Sequence, residues 1–262
     1  MPKTLAAVAA GAAATLAAIL SLTATVAQAA TIAPAATITP AAVPAPDKSL
    51  IVAGYDQEGC QENSYPVYVE ISGTITVPAA TDIDGTPGIS YDIYNLGGVG
   101  TGVSGGVAVD NSNGQAFYSA FGQWGTQPVT AFSVEPGDKL QVTIEDEGTE
   151  GWMVEIFDGT TGQEWTQWNP NSAEPCAAGA FEQSIYPSYD YLTRTTPVAF
   201  DFTRVWWGEQ GQSVAKVSKL LGTLPAYAKL FRFNLVNQNG TSVATTSKPT
   251  DSNNNFTVTD AG

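Results

Sequence analysis

A chain of 262 residues with no histidine must do any acid–base chemistry with carboxylates, carboxamides, hydroxyls or lysine. Triads that use imidazole as base and zinc sites built on imidazole are therefore excluded. Acids dominate what is left, with 25 Asp and Glu against 10 Lys and Arg and a formal charge of -15. The same charge balance removes nucleic acid as a partner, because phosphate backbones are held by Lys and Arg. The cluster Glu145-Asp146-Glu147, with Glu150, has the oxygen ligands calcium takes but no ligand spacing of an established loop, and reads as a solvated turn. No metal and no cofactor are expected. Trp165, Trp168, Trp206 and Trp207 have ring faces that can stack on sugars, although such side chains more often fill a core.

These groups have to be positioned by a fold, and the first segment is not part of it. Lys3 precedes an apolar run from Leu5 to Val26, and Ala27-Gln28-Ala29 is a small-x-small cleavage pattern, so residues 1–29 read as a signal peptide. Secretion is the expectation, with no membrane attachment after cleavage. Residues 30–49 are rich in alanine and proline and read as an extended spacer or propeptide. In the exported chain Cys60 and Cys176 most simply form one disulfide. Closing a loop of that length removes about 4–5 kcal/mol of unfolded-chain entropy in the simple loop model. A thiol nucleophile would have no histidine to activate it.

Residues 50–262 carry the punctuation of one large all-β domain. Lys139 to Glu145 alternates polar and apolar at every step, the period of a strand with one buried face. Similar runs lie at 67–71, 74–77, 103–109, 152–157, 180–186, 198–207 and 229–236. Asn113-Gly114, Asp158-Gly159, Asn239-Gly240 and Pro136-Gly137-Asp138 mark turns between them. Many short strands at regular spacing predict an antiparallel sandwich or barrel. Ser213 to Leu221 is the one stretch expected to be helical.

Five segments, in order, resemble the eqolisins, the glutamic peptidase family. Gly114 to Trp124 (GQAFYSAFGQW) is similar to the family's glycine turn and tryptophan-flanked Glu strand. Ser72 to Pro78 (SGTITVP), Glu135 to Asp138 (EPGD), Asp158 to Gln163 (DGTTGQ) and Val198 to Val205 (VAFDFTRV) resemble further family segments. The resemblance implies a concanavalin-like antiparallel β-sandwich of two large sheets. It also implies acid peptide-bond hydrolysis, in which a Glu activates water and a Gln orients it and stabilises the oxyanion.

Carried onto this chain residue by residue, the resemblance puts Ser104 at the Gln position, within Ser104-Gly105-Gly106-Val107. The Glu position falls on Glu182 with one inserted residue after Cys176, and on Phe181 without it. Gln123 takes the place of the tryptophan-flanked Glu, and Ile93 that of a substrate-site tryptophan. Catalysis is therefore assigned to Glu182 with Ser104 or Gln123, and substrate contact to Ile93, Tyr118 and Trp124. The implied function is a secreted acid endopeptidase with an altered site, acting on a polypeptide as a monomer. A non-hydrolytic peptide-binding module and a carbohydrate-binding module on the same scaffold are the alternatives.

Overall fold

Lys139–Asp146 buries Leu140, Val142 and Ile144 completely and leaves Lys139 and Gln141 exposed, so the alternation read from the sequence becomes a half-buried strand. In the computed structural model of the protein the described residues are 44–59, 67–81, 87–97, 102–112, 114–125, 127–146, 151–170, 176–183, 193–208, 216–219, 229–250 and 255–261. Residues 1–43, which hold the expected signal peptide and most of the expected spacer, lie outside them, as do Cys60, Asn113 and residues 147–150.

The described residues form sixteen strands: β1 (Asp47–Ser49), β2 (Val52–Glu58), β3 (Val67–Thr76), β4 (Gly88–Leu96), β5 (Val103–Ser112), β6 (Gln115–Trp124), β7 (Gln127–Ser133), β8 (Lys139–Asp146), β9 (Trp152–Asp158), β10 (Glu164–Asn169), β11 (Ala177–Gln183), β12 (Val198–Gly208), β13 (Lys216–Lys219), β14 (Lys229–Val236), β15 (Ser242–Thr246) and β16 (Phe256–Asp260). No helix occurs among the described residues. The helix expected at 213–221 is corrected within 216–219, which form β13 and pair with β12 from Arg204↔Lys219 to Trp207↔Lys216. A row of unpaired backbone groups on β12 outweighs the local propensity of so short a segment.

The architecture also departs from two separate sheets. Hydrogen bonding runs unbroken through β10-β9-β8-β3-β12-β16-β15-β14-β2-β11-β4-β5-β6-β7, with β13 added beside β12 and β1 beside β14. All pairs are antiparallel except β1 with β14. The path turns back on itself, so that β5 packs on β8 and β9, β4 on β3 and β8, and β11 on β3 and β12. Near its two ends Trp124 and Trp165 meet at 6.1 Å between ring centroids.

Between the facing halves lies the main core, which includes Tyr55, Ile75, Tyr94, Leu96, Val107, Ile144, Val154, Ala180, Phe200 and Phe256. Aromatic contacts tie the halves together: Tyr94 with Phe200 at 5.8 Å, Phe200 stacked on Phe256 at 4.9 Å, and Phe256 edge-on to Tyr55 at 4.8 Å. Each such pair adds about 0.5–1.5 kcal/mol beyond the area it buries. A second, smaller cluster of Val52, Tyr91, Ile93, Ala108, Phe121 and Phe181 lies on the opposite face of β2, β11, β4, β5 and β6.

Space for Phe181 in that cluster comes from Gly54, its register partner on β2. A Cβ at Gly54 would fall 2.4 Å from the Cβ of Phe181 and 2.4 Å from the Ala180 carbonyl oxygen. Both obstacles are fixed by the β11 ladder and cannot swing away. Gly54→Ala is expected to cost about 3 kcal/mol or more, lowering the melting temperature by roughly 6–12 °C. A thermal melt showing less than about a quarter of that loss would mean that β2 and β11 separate more easily than their registers imply.

Candidate functional site

Directly opposed residues in antiparallel strands project from the same face, and successive residues along a strand alternate. Two register rows on the face bearing the smaller cluster follow from that rule. One runs Asp56–Gly179–Asn95–Ser104–Gln123 across β2, β11, β4, β5 and β6, and the next runs Gly54–Phe181–Ile93–Gly106–Phe121. Ser104 and Gln123 are thus immediate neighbours. Asn95 completes a polar patch with them by donating from Nδ2 to Ser104 Oγ at 2.9 Å and to the Val103 carbonyl at 3.3 Å. Gln123 turns its Nε2 back to the Gly125 carbonyl at 2.6 Å. Asn95 and Ser104 are buried, whereas Gln123 is half-buried, so the patch opens toward β6.

Glu182 is not part of this patch. It follows Phe181 by one residue and projects with Ala178 and Ala180 toward the main core. Its exposure is 1%, and no donor reaches either carboxylate oxygen. Across the register stands Asp92 on β4, equally buried and equally without a donor. The third member is Asp260 on β16, which interacts electrostatically with both. Burial first, then the Asp260 and Asp92 carboxyls, holds Glu182 well above the ordinary carboxylate range; burial and Asp260 do the same to Asp92. Asp260 is pushed up to about 6 by burial, a rise limited by the Thr195 N–H that it accepts at 2.7 Å, by Glu182 and by the Arg194 guanidinium. The negative charge therefore resides on Asp260, and Glu182 and Asp92 keep their protons.

Two further assigned residues also face the main core. Tyr118 packs against it and accepts a hydrogen bond from the Ala80 N–H at 3.0 Å. Trp124, the register partner of Val103, lies against Trp165. Of the residues assigned to substrate contact, Ile93 alone shares the Ser104 face.

Sequence reasoning passed over Asp56, which lies in the polar row and is buried, its carboxyl pushed up to about 7 by burial and by Glu58. It also passed over Asp92 and Asp260. The alternation Ser90, Asp92, Tyr94, Leu96 along β4 was the available sign that Asp92 points inward. Among the described residues no group of three or more acidic or cysteine side chains is arranged to hold a metal ion. Cys176, immediately before β11, is not a free thiol.

Against this geometry the comparisons with known proteins can be set. The family described as Peptidase A4 matches residues 51–260. The chain belongs to the peptidase A4 family. Its fold is similar to scytalido-glutamic peptidase solved with a peptide-based transition-state analogue, with 15% identity, a TM-score of 0.57, and coverage of 80% of this chain and 98% of that one. SCP-B, an eqolisin solved with the tripeptide Ala-Ile-His, gives 15% identity, a TM-score of 0.56 and the same coverages. Aspergilloglutamic peptidase from Aspergillus niger gives 19% identity and a TM-score of 0.50, over 66% of this chain and 99% of that one. No curated protein matches the chain.

In this peptidase A4 member the buried trio couples folding to pH. Each of its carboxyls titrates higher folded than unfolded. The folded chain therefore holds protons that the unfolded chain has released, and stability falls as pH rises from about 4 through about 6 and beyond. The melting temperature should be higher near pH 4.5 than near pH 7.5, by on the order of 5 °C. Glu182→Gln removes one titrating member and should flatten that slope whatever it does to the absolute melting temperature. Thermal melts of both proteins across the range are the measurement, and a wild type that gains stability toward neutral pH contradicts the assignment.

Proposed function

We propose that this protein is a secreted, non-hydrolytic member of the peptidase A4 family that holds a polypeptide ligand against the Asn95–Ser104–Gln123 patch. One observation carries the proposal: Phe181, and not Glu182, shares the face of Ile93, Ser104 and Gln123. A general base must come within about 3 Å of the water it activates, and Glu182 lies behind the sheet, 1% exposed. This placement supports the register after Cys176 without an insertion. β11 is paired on both sides, to β2 and β4. Bringing Glu182 to the front would require a one-residue slip of β11, which would send Phe181 into the main core and break both ladders. Ser104 also stands where the family has its oxyanion-stabilising Gln, and a hydroxyl is shorter and has one donor in place of two.

Peptide holding is supported by the fold relatives, which were solved with a peptide-based analogue and with a tripeptide. The amide and hydroxyl groups of the patch are of the kind that fix a peptide's orientation. Secretion is supported by the leader-like residues 1–29. A Cys60–Cys176 disulfide is supported by Cys176 not being a free thiol and by the Gly59 N–H, which donates to the Cys176 carbonyl at 3.0 Å. A single domain over 50–262, acting as a monomer, completes the reading.

The deciding experiment offers a peptide library and a denatured protein to the mature chain between pH 2 and 7, beside Glu182→Gln. No cleavage is expected from either sample, provided that each melts cooperatively. Acid-optimal cleavage by the wild type that disappears in Glu182→Gln would restore the glutamic peptidase reading and remove this one.

A further inference from the structure

On the far side of the molecule, the outward face of β3, β8 and β12 carries a shallow groove of about 320 Å³ whose lining includes Ser72, Gln141, Thr143, Phe202, Arg204 and Trp206. Its walls depend on a β-bulge. β12 pairs with β3 at Asp201↔Thr74 and resumes at Arg204↔Ser72, so three steps on β12 match two on β3. The extra residue is Phe202, whose φ of 56° makes it the one non-glycine residue of left-handed backbone among those described. Its N–H is held by Asn255 Oδ1 at 3.0 Å, and its ring is 53% exposed. A bulge alone does not call for phenylalanine. Glycine or asparagine adopts this backbone with little strain, whereas a bulky side chain costs on the order of 1–3 kcal/mol and loses further stability by exposing an apolar ring. Strain of this kind, spent on displaying a ring to solvent, marks a contact surface.

From this geometry we infer that the β3–β8–β12 groove binds a neutral glycan chain, with Phe202 and Trp206 stacking on its sugar rings and Arg204, Ser72, Thr143 and Gln141 bonding its hydroxyls. Three observations select that ligand. β3 is hydrogen-bonded on both sides, to β8 and β12, so the groove presents side chains and no free strand edge, which is what an added peptide strand would need. Ring faces, hydroxyls, a carboxamide and a guanidinium suit a pyranose, which has an apolar C–H face and a rim of hydroxyls. The net charge of the chain and the Glu145 carboxylate, in register with Glu70 beside Trp206, repel an anionic polysaccharide, while Glu70, its carboxyl pushed up to about 7 by burial and by Glu145, can donate to or accept from a sugar hydroxyl.

The test titrates cellohexaose, laminarihexaose, xylohexaose and chitohexaose into the mature protein, followed by NMR and tryptophan fluorescence, with polygalacturonate and a peptide library as comparators. Saturable binding of at least one hexasaccharide is expected, weakened roughly tenfold or more by Phe202→Gly and by Trp206→Ala. Phe202→Gly should at the same time leave the melting temperature unchanged or raise it, because it releases the strained backbone. That separation of binding from stability is what a purely structural role for Phe202 would not produce. No binding of any hexasaccharide overturns the inference, as does binding indifferent to both substitutions or displaced by the peptide library. Cleavage assays are not involved, so this result stands apart from the fate of the Ser104 face.

Discussion

The hydroxyl of Tyr94 is the constraint on which much of the molecule depends. Its ring is buried at the centre of the core, in edge contact with Phe200, and a hydroxyl there must find partners or cost about 1–3 kcal/mol. It finds them on the opposite half of the sheet: the Thr74 carbonyl at 3.3 Å and Thr203 Oγ1 at 3.2 Å. For Thr203 to point inward, β12 must change phase between Phe200 and Val205, both of which are also inward. Regular alternation cannot place 200, 203 and 205 on one face, and the bulge supplies the missing step. The same approach excludes a side chain at position 73, where a Cβ would lie 2.2 Å from the Tyr94 hydroxyl. A single buried phenol thus accounts for a glycine in β3, a bulge in β12 and the outward display of Phe202.

β11 shows how narrow the margin between chemistries is on a sheet. Phe181 and Glu182 are adjacent, and the pleat sends one to the Ser104 face and the other to the core. Once Phe181 is seated against Gly54 and Ile93, Glu182 has no route forward, and its environment becomes two other carboxyls. Three such groups in a low-dielectric interior cannot all ionise, so protons are retained and the charge is given to the member with a donor and a cation nearby. The cost of that arrangement at neutral pH is its benefit in acid, where the trio is uncharged and the exposed carboxylates of an acidic surface also lose their mutual repulsion.

What the sequence made legible was local. The alternation of residues 139–145 became β8, the Pro136-Gly137-Asp138 turn formed with the Asp138 carboxylate accepting from the Glu135 N–H at 2.8 Å, and the motif order led to the right family. The neighbourhood of Ser104 and Gln123 was also implicit, because both lie on strands joined by one glycine turn. What could not be read was long-range. The Asp92–Glu182–Asp260 trio joins three strands far apart in the chain, and nothing in the residues near any one of them announces the other two. The continuity of the sheet through β14, β15 and β16 is a matter of which edges meet, and β13 was misread because a strand of four residues is too short for its own alternation to be told from a helical turn.

Ladder saturation explains why the two faces can diverge without disturbing the fold. Inner strands such as β3, β4, β5 and β11 spend their backbone groups on neighbouring strands, so the scaffold is held by main-chain bonds and by the inward half of the side chains. Outward side chains contribute less to that stability, and they are the ones free to change. On β4, β5 and β11 that outward face carries Ile93, Ser104 and Phe181. On β12 the phase shift imposed by Tyr94 left a surplus residue on the surface. A fold that had only to survive would have put glycine there; phenylalanine at a left-handed position is stability given up, and a surface contact is the physical return that such an exposed ring can supply.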